Sequence, residues 1–178
     1  MNYMHYCYNC CMQGPPGVQG PQGIQGPPGP GVAPAWFNAV SVGGSQDLAL
    51  DENVIFLLSQ QTPGDFTFTD GSDIITINTP GTYKIDYEVT LRGTDGTINS
   101  AYAIVVNGAE HPFSLFGMHH NGSSSGRFGY TGFLIVQSVT AGTTIQLRHK
   151  SSTLDRLDGT GIDGQDINRA AILIQRVS

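Results

Sequence analysis

The chain has 178 residues, of which 12% are charged, with a net charge of -6. That length leaves room for one globular domain, and the charge balance offers no basic patch or stripe for nucleic acid or an anionic membrane. No run of 18 apolar residues exists, and the N-terminus lacks a basic start and an apolar signal core, so neither a membrane span nor an ordinary secretory precursor is expected.

Residues 1–13, MNYMHYCYNCCMQ, form a short tail that holds all three cysteines. Cys7, Cys10 and Cys11 make a C-x-x-C-C cluster with His5 nearby. As a zinc site these four side chains supply enough ligand atoms. The adjacent Cys10 and Cys11 fit poorly into one tetrahedron, however, and the second ligand pair of a zinc ribbon is missing. Tyr3, Met4, Tyr6 and Tyr8 make the tail adhesive, a peptide suited to a groove on another molecule.

Residues 14–31 read GPP GVQ GPQ GIQ GPP GPG, with glycine opening six consecutive triplets at Gly14, Gly17, Gly20, Gly23, Gly26 and Gly29. A collagen triple helix demands this pattern. Three polyproline-type strands pack so closely about one axis that every third residue must lack a side chain. A flexible linker has no reason to keep the period through Val18 and Ile24. The rod would be about 55 Å long, too short to hold three chains together alone. The rest of the chain is therefore expected to trimerise it. A trimer would bring nine thiols to one end, an odd number, which favours disulfides reaching a neighbouring trimer; bound metal and free thiols are the other readings.

From Val32 to Ser178 the composition becomes that of an all-β domain. Strands are expected over residues 35–40, 54–58, 66–68 and 74–77, with a turn at Asp70-Gly71-Ser72. The clearest is 82–90, where Tyr83, Ile85 and Tyr87 alternate with Thr82, Lys84 and Asp86. Residues 101–106 are apolar on both faces and end at Asn107-Gly108, a hairpin signal. Residues 118–126 read as a loop. A long strand follows over 127–139 carrying Phe128, Tyr130 and Phe133, then another over 143–150 with Ile145 and Leu147 facing in. Residues 155–166 read as an acidic loop before a last strand, 170–177, carrying Ile172 and Ile174. With no helix-period segment, the pattern predicts a sandwich or jelly roll. Strands apolar on both faces predict that neighbouring subunits cover one of them, with Tyr83, Ile85, Tyr87, Phe128, Tyr130, Ile172 and Ile174 as core or trimer positions.

Other motifs have plainer readings. Gly122-Ser123-Ser124-Ser125-Gly126 matches a nucleophile-elbow pattern, but that motif needs a strand-to-helix turn and no helix is expected here. His119 and His120, adjacent in the chain, point to opposite sides of an extended backbone, and His111 lies upstream. Asp155, Asp158, Asp163 and Asp166 form a weak calcium candidate whose spacing matches no known calcium loop, so a solvated turn is the stronger reading. No paired carboxylates or phosphate loop is visible, and the sequence calls for no catalytic residue, resident metal or cofactor.

A collagen repeat followed by Ala35-Trp36-Phe37-Asn38-Ala39, the Phe66-x-Phe68 pair and Gly81-Thr82-Tyr83-Lys84-Ile85-Asp86-Tyr87 resembles the collagen-tailed complement and tumour-necrosis-factor-like heads. Thr79-Pro80-Gly81-Thr82-Tyr83-Lys84-Ile85, Val105-Val106-Asn107-Gly108 and the closing Ala171-Ile172-Leu173-Ile174-Gln175-Arg176-Val177 are similar to the collagen-like glycoproteins of the Bacillus-type spore surface. The resemblance implies a trimeric jelly-roll head that zips the rod, displayed on the exosporium or on spore appendages and reached through the mother cell without a signal peptide. It also implies an anchor protein of the spore coat or exosporium as a partner. This chain departs from that family in its short rod without Ser or Thr, and in carrying a cysteine tail where a proline-rich anchoring leader is usual. Both departures favour a repeating unit joined head to tail into a fibre over a singly anchored bristle. A terminal adhesin or a phage fibre tip is the alternative.

Overall fold

The computed structural model describes residues 16–26, 33–93, 97–121, 126–161 and 163–178. The chain divides into two units, Met1–Gly31 and Val32–Ser178. In the first, residues 16–26 form neither helix nor strand and are all exposed. Open space lies on the Cβ side of Gly17, Gly20, Gly23 and Gly26.

The second unit is all β. In chain order its strands are β1 (Trp36–Val42), β2 (Ser45–Leu48), β3 (Leu58–Gln61), β4 (Phe66–Thr67), β5 (Ile75–Ile77), β6 (Gly81–Gly93) and β7 (Thr97–Val106). There follow β8 (Ala109–Glu110), β9 (Phe116–Asn121), β10 (Gly126–Val139), β11 (Thr143–His149), β12 (Asp155–Asp158) and β13 (Asn168–Arg176).

The axis of the first sheet is β6. Its period-2 pattern buries Tyr83, Ile85, Tyr87, Val89 and Leu91 and leaves the alternate residues outside. Antiparallel β10 runs along one side of it, from Gly126↔Gly93 to Val136↔Tyr83. Its other side takes β13, from Ala170↔Val89 to Arg176↔Tyr83, and then β12 at Leu157↔Leu91. Beyond β13 lie β1 and β3, while β12 carries β2. The second sheet runs β4-β5-β11-β7, with β8 and β9 sharing the far side of β7. The chain changes sheet between β3 and β4, β5 and β6, β6 and β7, β9 and β10, β10 and β11, and β11 and β12. That winding, with every pairing antiparallel, is a jelly-roll sandwich.

Two local devices fix the sheets. Asn107 and Gly108 both have positive φ, 50° and 82°, the backbone of a tight hairpin whose twist matches its strands. Gly132 lies opposite Tyr87, whose ring lies so close over it that an added Cβ would come within 2.4 Å.

Four expectations need correction. Residues 54–57 are not a strand, and only Leu58 enters one, as the first residue of β3; the backbone bonds of 54–57 go to three separate partners, Val54 donating to Leu147, Phe56 to Ser72 and Leu57 to Val40. No ladder forms, although Val54 and Phe56 are buried. The expected loop over 118–126 begins as strand β9, which pairs with β7 from Thr97↔Asn121 to Tyr102↔Phe116. The acidic loop over 155–166 likewise begins as β12, with Asp155 and Asp158 buried. Finally, the second apolar face of β7 needs no neighbouring subunit: Ala103 and Val105 are already buried within this chain.

Candidate self-association face

The residues nominated from sequence as core or trimer positions all turn inward. Tyr83, Ile85, Tyr87, Ile172 and Ile174 are buried between the sheets, and Phe128 and Tyr130 pack against that core. They hold the sandwich together, with Phe128 and Tyr130 partly exposed at its margin. The face available for contact is made by their alternates.

On the outside of the first sheet, strand register lines these alternates into rows. Phe133 on β10 stands opposite Asp86 on β6, then Leu173 on β13, then Asn38 on β1. The adjacent row is Ile135, Lys84, Gln175 and Trp36. Phe133 and Ile135 remain 57% and 52% exposed, a large share for apolar side chains in the middle of a long strand. Lys84 and Asp86 pair with each other at 2.8 Å, which leaves Glu88 as the open charge of the β6 stripe. Among these side chains lies an open cavity of about 330 Å³, lined by Phe133, Leu173, Asp86 and Glu88. Phe133 also touches Phe116 of β9, ring centres 5.5 Å apart, so the apolar strip continues onto the edge of the second sheet. An apolar border around a short charged stripe is suited to contact with protein, not to covalent chemistry.

A second feature gave no signal in the sequence. The loop after β8 is anchored by buried Ser114, whose hydroxyl lies 3.1 Å from the Ile104 amide and 2.7 Å from the His111 carbonyl. Next to this anchor, Phe113 is 93% exposed with φ at 67°, a backbone conformation that bulky residues rarely adopt.

The four nominated aspartates do not converge. Asp155 turns inward toward His149 and Ser100, whereas Asp158 faces Arg92 at 3.5 Å and Arg127 at 3.7 Å and accepts from the Thr160 amide at 2.8 Å. Asp163 and Asp166 are exposed. Buried carboxylates already neutralised by Arg and His are poor calcium ligands, and no three His, Cys, Asp or Glu side chains among the described residues gather as a metal site. Burial pushes the Asp158 carboxyl up, but Thr160, Arg127 and Arg92 outweigh it and hold its pKa below the usual carboxylate value.

His119 and His120 take opposite sides of β9, the first near Asn99 and the second stacked on Phe128 at 4.7 Å. His111 uses its Nδ1 to donate to the Pro112 carbonyl. Cys7, Cys10, Cys11, Tyr3, Met4, Tyr6, Tyr8, Gly14, Gly29 and the serines of residues 122–125 lie outside the described residues. No described helix is long and apolar enough to cross a membrane.

No family model and no curated protein sequence matches the chain. Among solved structures, it is similar to the globular domain of zebrafish complement 1qA protein at 10% identity and a TM-score of 0.49, over 79% of this chain and 94% of that one. It is also similar to Eiger TNF from S. frugiperda at 12% identity and a TM-score of 0.49, over 82% of this chain and 92% of that one.

Proposed function

We propose that the protein is a structural, self-assembling subunit: a homotrimer with a jelly-roll head and a short collagen rod, whose N-terminal cysteines join units head to tail into a spore-surface fibre or exosporium layer. The observation that carries this reading is the unbroken run of six Gly-X-Y triplets, because a collagen strand is stable only with two others wound beside it. The outward row of Phe133, Asp86 and Leu173 supports it, offering a broad surface on which neighbouring copies would bury apolar area. Net charge and the absence of a basic stripe leave nucleic acid and membrane out of the reading.

Purified full-length protein, imaged alone by electron microscopy, is expected to form filaments that withstand denaturant until a reductant is added. Isolated particles, or only monomer on a non-reducing gel, would remove the fibre from the account. A second reading, a ligand-binding tip carried on a fibre made by another protein, is favoured by Phe113, held outward in an unfavourable backbone conformation. It predicts isolated particles in the same micrograph.

A further inference from the structure

The imidazole of His149, on β11 of the second sheet, meets β12 and the residue just beyond β2 at one end of the β2–β12 ribbon. Its Nδ1 lies 2.9 Å from the carbonyl of Ala49, the residue that follows β2. Its Nε2 lies 3.1 Å from Oδ2 of Asp155, the first residue of β12. Leu48 and Asp155 are themselves paired across the ribbon, so one ring holds both strands at the same end. The ribbon needs such a hold, since among the described residues its only register pair to the rest of the sheet is Leu157↔Leu91.

The protons of this site follow from its partners. A carbonyl only accepts, so Nδ1 carries a hydrogen. Ser100 donates its hydroxyl to Oδ2 of Asp155, and Tyr130, 3.0 Å from Ser100, then donates to Ser100. Nε2 is buried and makes no aligned hydrogen bond, so whether it carries a further proton decides how it meets Oδ2. With it the two atoms attract; without it a ring lone pair faces a full carboxylate charge. His149 and Asp155 are only 0% and 4% exposed, so water cannot relieve that clash.

The other groups facing the ring do not supply a substitute cation. Tyr102 of β7 packs on it with ring centres 5.3 Å apart, and Glu52 of the 49–54 segment adds another negative charge nearby. Asp51 is taken by Lys150, which also pairs with Glu110, and Arg148 donates to Asn53.

We infer that His149 and Asp155 form a proton-dependent latch, closed when Nε2 carries a proton toward Asp155, that keeps the β2–β12 ribbon on the sandwich and lets it loosen as pH rises. Burial alone would pull the His149 pKa down, but Asp155, the Ala49 carbonyl and Glu52 outweigh it and raise it. A folded-state pKa above the unfolded value of about 6.5 stabilises the fold fully below that pH. This stabilisation is lost as pH rises through the folded value.

The test uses the full chain. Imidazole ¹⁵N signals should show both His149 nitrogens protonated above pH 6.5, and a neutral ring at that pH would overturn the latch. Over the same titration, amide exchange corrected for its intrinsic pH dependence should lose at least tenfold protection in Gln46–Leu48 and Arg156–Asp158 but not in Ile85–Val89. Equal change in both regions, or none in the ribbon, would also overturn it. His149→Gln keeps a donor toward Asp155 without titrating, and its ribbon protection should be flat with pH. Should that variant fail to fold, the wild-type titration still decides.

Discussion

The sandwich closes its two ends with different physics. Near the start of β6, Phe37 packs against Phe66 and Phe68 at ring-centre distances of 5.5 and 5.4 Å, and Phe66 meets Tyr83 edge-on at 6.0 Å. Near its finish, the β2–β12 ribbon is held by carboxylates that face His149, Arg92 and Arg127. The aromatic end gains its stability from area removed from water and ring packing, neither of which depends on pH. The charged end gains little net energy from burying ions, but its partners are specific, and its contacts depend on the protonation of His149 and of the Asp158 carboxyl. One fold thus carries a constant end and a titratable end.

The largest expected effect is at the constant end. Phe37→Ala should cost about 3–5 kcal/mol, because the cavity it leaves among Phe66, Phe68 and Tyr83 cannot collapse within a sheet. Denaturant unfolding should give the same loss at pH 6 and pH 9; a pH-dependent loss would erase the distinction between the ends. At the titratable end, Asp158→Asn should cost about 1–3 kcal/mol by leaving Arg92 and Arg127 without their carboxylate. The Asp158 pKa is depressed in the fold, so its contribution is present above the ordinary carboxylate value and is lost as pH falls through the folded one. The variant should therefore unfold less steeply with acid than the parent, and identical acid curves would assign that role elsewhere. The mildest lesion is Asn107→Ala, which removes the acceptor of the Thr144 amide, 2.9 Å away, and a residue tolerant of positive φ. About 1 kcal/mol should be lost, again without pH dependence, in a thermal melt.

The constant end was the legible one. Tyr83, Ile85 and Tyr87 alternate with polar residues, so their burial follows from period alone. Asn107-Gly108 announces its hairpin, and the last strand is apolar enough to be read directly. The titratable end was misread because carboxylates near glycines look solvated until their partners are known. For Asp155 and Asp158 those partners come from β6, β7, β10 and β11, which only the tertiary fold brings together. The exposed face was hidden for another reason. Phe128 and Tyr130 differ in parity from Phe133, and only pairing with β6 decides which parity faces the core. The assumption that every doubly apolar strand needs a neighbour then failed for β7, whose second face is covered by its own chain, while the Phe133 side of β10 stayed open.

That open side and the glycine repeat meet in one claim, that three copies of this chain work as a unit. Sedimentation equilibrium of the full-length protein under reducing conditions, dilute enough to separate units from fibres, tests it most directly. A species of three times the chain mass is predicted, reverting to single chains when Phe133 and Ile135 are both replaced by Asp. A monomer or a dimer for the unaltered chain would contradict the account.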